Sequence, residues 1–141
     1  MSGYQSSDLT ILAPETIVIP WYLNLEPIKS FYIRKKASKI LLGRDSEMIE
    51  NAWARTNIDI DLTAKVSKII ADWCEWPNAL FAPNDRCSIL FQDISCDLTT
   101  VEVMRQIEEE IVPNLHQNVW DKLDSISYGE LMKFIQTDLV K

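Results

Sequence analysis

Four side chains in this sequence could carry nucleophilic chemistry: Cys74, Cys87, Cys96 and His116, the only histidine. A thiol attacks as the thiolate, so it needs a base within reach or a lowered pKa. Cys96 alone has a local reason for thiolate character, because it stands just ahead of a helical pattern whose positive N-terminal end favours negative charge. A small enzyme built on Cys96 and His116 is therefore one reading, and an inert, buried cysteine is the other. A His-rich metal site is excluded by the single histidine, and no CxxC spacing is present. Glu108, Glu109 and Glu110 look like a carboxylate cluster. Consecutive helical residues point about 100° apart, so the three cannot converge on one substrate atom. They read as a solvated face or a docking face. With only three glycines there is no phosphate-cradling loop, and no dinucleotide motif is present. No catalytic residue, metal ligand or cofactor is assigned on these grounds, and the chain is read as a non-enzyme.

The acids belong to the stretch that organises the sequence, Cys96 to Ile111. Leu98, Val101, Met104, Ile107 and Ile111 recur at steps of three and four, the spacing of an amphipathic helix. Asp97 or Thr99 can cap it, Thr99 with Glu102 fits a capping box, and Pro113 closes it. A second helix is expected from Asp61 or Thr63, with Leu62, Val66, Ile69, Ile70 and Trp73 on its apolar side and Pro77 beyond its end. A third opens on the capping box of Ser127 and Glu130 and buries Leu131, Phe134, Ile135 and Leu139. Between the first two of these lies a long, partly apolar loop with Leu80, Phe81, Ile89, Leu90 and Phe91. A short helical piece is expected around Leu115, Val119, Trp120 and Leu123.

Upstream, Ile17-Val18-Ile19 is β-branched and bracketed by Pro14 and Pro20, which suggests a short extended segment. Pro27 suits a first helical position, and Gly43 suits the residue after a helix end, so residues 27–42 read as a helix. Its expected buried face is Ile28, Phe31, Tyr32, Ala37, Ile40 and Leu41. Its other face carries Lys29, Arg34, Lys35, Lys36 and Lys39 without an acid. Such a face can balance the acidic remainder of the chain across an internal interface, or touch an anionic lipid surface or phosphate. Asp45-Ser46-Glu47 restarts a helix that places Met48, Ile49, Ala52 and Trp53 together.

The run Asp97 to Ile111, DLTTVEVMRQIEEEI, resembles the second helix of acyl carrier proteins. In that family the helix begins Asp-Ser-Leu, and the serine bears a 4′-phosphopantetheine arm. The stretch SISYGELMKFI resembles the opening of the family's final helix, and the Val66-to-Ile70 pattern resembles its first. The resemblance covers about residues 58–139 and implies a mainly α fold. That fold is an acyl-carrier-protein-like helical bundle over 58–141, preceded by an N-terminal extension, 1–57, of an extended segment and a basic helix. It places Asp97 at the serine position and Cys96 at the family's aspartate, and a carboxylate cannot form the phosphodiester. The implied function is a module without the pantetheine site that acts through protein–protein contact, using Asp97, Glu102, Arg105, Glu108 and Glu109. Two alternatives stand beside it. One is a functional acyl or peptidyl carrier with 4′-phosphopantetheine on Ser95; the other is an acidic inhibitor or immunity-type protein.

Charge sets the partner class. The 141 residues carry a net charge of −7. The first 57 residues hold seven basic and six acidic side chains, and the remainder holds seven and fifteen. An acidic C-terminal part repels nucleic-acid phosphate and suits a protein with a basic surface. No apolar run approaches the ~20 residues of a membrane span, and the first residues lack the basic and apolar segments of a signal peptide. The odd cysteine count fits reduced thiols, and a cytoplasmic setting is expected.

Overall fold

A computed structural model describes residues 10–91, 98–113 and 117–139. Among them the protein is mainly helical, with seven α-helices and no strand: α1 Ile28–Leu42, α2 Ser46–Ala54, α3 Ile60–Cys74, α4 Cys87–Leu90, α5 Leu98–Glu110, α6 Gln117–Asp121 and α7 Tyr128–Leu139. Two 3-10 turns, Trp21–Leu23 and Leu123–Ser125, complete the order. Ile17-Val18-Ile19 joins no sheet. Ile17 is buried and Val18 is exposed, so the segment lies as an irregular strap.

Local chemistry explains most boundaries. The Asp45 carboxylate accepts the Met48 N–H at 2.8 Å and caps α2. Asp59 caps α3 by accepting the Asp61 N–H at 3.0 Å, so the cap lies two residues earlier than Asp61. The helix ends before Pro77, with Glu75 in the left-handed region at φ 58°. The capping box at α7 forms as its sequence implies: Glu130 accepts the Ser127 N–H at 2.9 Å and Ser127 Oγ accepts the Glu130 N–H at 3.3 Å. Gly43 follows α1 but stays right-handed, at φ −84°, so α1 stops without a left-handed cap.

One apolar core joins the α-helices, the loop before α4 and the turn Leu123–Ser125. It runs from Leu12, Leu41 and Trp53 through Val66, Ile70, Phe81 and Leu90 to Val103, Ile107, Leu131 and Ile135. The α3 stripe Leu62, Val66, Ile69 and Ile70 is buried as its spacing requires, whereas Trp73 sits at the rim and donates its indole N–H to Gln106 of α5. In α5 the buried seam is Val103 and Ile107, flanked by Met104 and Ile111. Val101 is 53% exposed, contrary to the stripe read from spacing. Six helical steps from Ile107 turn it about 120° from the seam, while Val103 lies only about 40° away. Phe134 and Leu139 of α7 are likewise exposed, and Tyr128 and Met132 fill the face instead.

The largest rotation is in α1. Ala37 and Leu41 are buried and Ile33 and Ile40 pack partly against the core, but Ile28 and Phe31 face solvent. Arg34 anchors this orientation. Its guanidinium donates to the carbonyls of Cys74 and Glu75 at the C-terminal end of α3, and it lies 4.5 Å over the Trp76 ring. A cation at unpaired C-terminal carbonyls is the favoured sign, and the aromatic face adds to it. Asn78 also donates to the Leu41 carbonyl at 3.0 Å, tying the end of α1 to the loop.

Candidate functional site

The loop between α3 and α5 leads into the stretch that the sequence marks out, and a buried ion pair holds that loop. Arg44, just past α1, meets Asp85 in a two-pronged contact: Nη1 to Oδ2 and Nη2 to Oδ1, each at 2.7 Å. Both side chains are almost wholly buried. A pair removed from water needs its remaining valences filled, and here most are, the buried Nε of Arg44 standing without a hydrogen-bond acceptor among the described residues. Arg44 also donates to the carbonyls of Leu80 at 2.8 Å and Thr10 at 2.7 Å. The carboxylate of Asp85 accepts the N–H groups of Leu12 at 2.9 Å and Ala82 at 2.7 Å. The Asp85 carbonyl then takes the Tyr128 N–H at 2.7 Å, which fixes the start of α7. The strap, α1, the loop and α7 thus meet at one charge pair.

Around it the packing is close. Gly129 brings its N–H to the Pro83 carbonyl at 2.8 Å, and an added Cβ would stand 3.0 Å from that oxygen. Tyr128 is fully buried, shares a 2.7 Å hydrogen bond with Ser67 of α3, and meets Trp53 and Phe81 edge-on. Burial drives the Tyr128 hydroxyl pKa far above its ordinary value. The Trp53 indole donates to the Phe81 carbonyl and the Trp76 indole to that of Leu90, both at 2.8 Å. None of these groups is reachable by a substrate, so their chemistry is structural.

On α5 the sequence-marked side chains face outward. Arg105 is exposed and bridges one turn in each direction, to Glu102 at 2.6 Å and to Glu109. Glu102 and then Glu109 raise the Arg105 pKa. Gln106 donates to Glu110 at 2.6 Å. Glu108 is half-buried, and Glu109 and Glu110 are exposed. Four carboxylates against one guanidinium leave this helix acidic. The acids do not converge: Glu102, Glu109 and Glu110 are each engaged along the helix, which suits a surface better than a proton-transfer site.

Ser95, Cys96, Asp97 and His116 lie outside the described residues. Cys74 and Cys87 are both buried. Burial first, then the Glu130 charge, pushes the Cys87 thiol far up, the opposite of a reactive cysteine. Among the described residues no three His, Cys, Asp or Glu side chains gather as a metal site, and no helix is long and apolar enough to cross a membrane. A half-open cleft of about 600 Å³ lies between α2 and residues 82–84, with Asp45, Glu47, Asn51, Arg55 and Asn84 on its walls. Sequence reasoning passed over Arg44 and Asp85. They stand 41 residues apart, and Arg44 reads as one more exposed cation beside the capping Asp45. No family model, curated protein or solved structure compared with this chain matches it.

Proposed function

We propose that the chain is a non-catalytic, acyl-carrier-protein-like module that works by docking its α5 face onto a basic surface of a protein partner. One observation carries the reading: Glu102, Glu109 and Glu110 lie on the solvent side of α5 while Val103 and Ile107 anchor its other side. The face is thereby held rigid and acidic, which favours steering and register with an oppositely charged partner. The succession of a long α3, a long loop carrying α4, a long α5, a short α6 and α7 supports the likeness to carrier proteins. Asp97 takes the place of the modified serine, so the arm is lost and the binding surface is kept. A cytoplasmic setting goes with this reading.

Intact mass after co-expression with a pantetheinyl transferase is the test. The wild-type mass is expected to stay that of the bare chain. A gain of one pantetheine arm that disappears in Ser95→Ala would establish the carrier alternative instead.

A further inference from the structure

The first part of α1 and the residues leading into it carry several large apolar side chains exposed to solvent. Trp21 is 87% exposed, Val18 80%, Leu25 75%, Tyr22 66%, Phe31 60% and Ile28 53%. They are not scattered. On a helical projection Ile28, Phe31 and Leu42 fall within about 60° of one another, on the side of α1 opposite Ala37. Lys35 and Lys39 fall on that same side, between and beside them, and Lys29 and Lys36 flank it. Trp21 and Tyr22 stack edge-on at 5.8 Å, and their turn packs against α1. Among the described residues no carboxylate lies within ion-pair distance of these four lysines.

The geometry points to an anionic lipid surface as what this face meets. Two features favour a bilayer over a folded partner. The apolar groups include Trp and Tyr, whose rings settle at the level of lipid headgroups. The lysines are interleaved with them, so their stems can lie along acyl chains while the ammonium groups reach phosphate. From residue 17 to residue 42 five basic side chains stand against one acid, Glu26, so the charge carried by this segment is basic within a Debye length of a surface it meets. The protein would rest on the membrane by this face, independently of the α5 reading.

Vesicles of phosphatidylcholine with and without phosphatidylserine provide the test, read by co-sedimentation and tryptophan emission. Of the five tryptophans, Trp21 is by far the most exposed, so its signal should shift to the blue on binding. The shift should vanish in Trp21→Phe. Partition should require phosphatidylserine and weaken with added salt. Lys35→Glu with Lys39→Glu should lower it by about tenfold or more, since each lysine near a charged surface is worth roughly a factor of five. Lys35→Gln with Lys39→Gln should give a smaller loss in the same direction. Circular dichroism and thermal unfolding should match wild type for these exposed positions. The proposal fails if the wild type ignores both vesicles, binds both equally, or if the charge variants bind unchanged. It also fails if the same lysine changes abolish a concentration-dependent self-association, because a second copy would then be what covers the face.

Discussion

Asp85 has the most to lose from a single substitution. Arg44→Met would remove its ion-pair partner among the described residues and leave a carboxylate without solvent. Breaking a buried pair this way costs about 3–5 kcal/mol, measurable as a lowered urea midpoint. Gly129→Ala would press a methyl group against Pro83 and should lower stability too, while the same change at Gly43 meets nothing closer than 3.6 Å and should be tolerated. Cys87 predicts a pH dependence. Its folded pKa is raised, so its stabilising effect is complete below the ordinary thiol range. As pH climbs through and beyond that range the unfolded chain releases the proton and the native chain does not. Stability should then fall by up to about 1.4 kcal/mol per pH unit. Urea midpoints across the alkaline range should show this slope, and Cys87→Ala should remove its first part and leave the Tyr128 part at higher pH.

Helices were the level at which the sequence was most readable. Caps at Asp45 and Ser127 and the positions of α1, α2, α3, α5 and α7 follow from turn chemistry and periodicity. Rotation about the helix axis was harder to read. Steps of three and four suit two neighbouring stripes almost equally, and which one turns inward depends on what packs there. Val101 and Val103 make the point: similar residues, two apart, one exposed and one buried. Ile107→Ala should therefore cost about 2–5 kcal/mol, while Val101→Ala should stay within about 0.5 kcal/mol. Equal losses in denaturant titrations would contradict the observed seam. In α1 the apolar Ile28 and Phe31 suggested a buried side, but the anchoring of Arg34 on the end of α3 turned them out. The acidic side chains of α5 were legible as a surface because their spacing forbids convergence. Asp97 lies outside the described residues.

For the molecule as a whole, the first 57 residues contribute Leu12, Leu41, Ile49 and Trp53 to the same core as the later helices. Deleting them would uncover that core and strip Asp85 of Arg44. The fragment 58–141 is expected to lose its cooperative thermal transition and to aggregate, checked by calorimetry and light scattering. A fragment as stable as the full chain would show that these contacts are dispensable. That residues 27–42 need a covering partner was legible from their apolar side and from the opposite charge of the C-terminal part; the particular contacts were not, because the partners are far apart in sequence and each has an ordinary local context.

The meeting of Thr10, Leu12, Arg44 and Asp85 also bears on how the protein is made. A ribosome releases the chain from its N-terminal end, so the cation and both strap residues emerge well before their carboxylate. The Leu12–Asp85 bond spans 73 positions, and contacts of such separation form only after a large loop has closed. Until synthesis passes residue 85, the guanidinium has no anionic counterpart, and the inner sides of α1 and α2 lack the loop they pack against. The nascent chain therefore travels a long way as an open intermediate, the stage at which apolar surface is most vulnerable to capture by other chains.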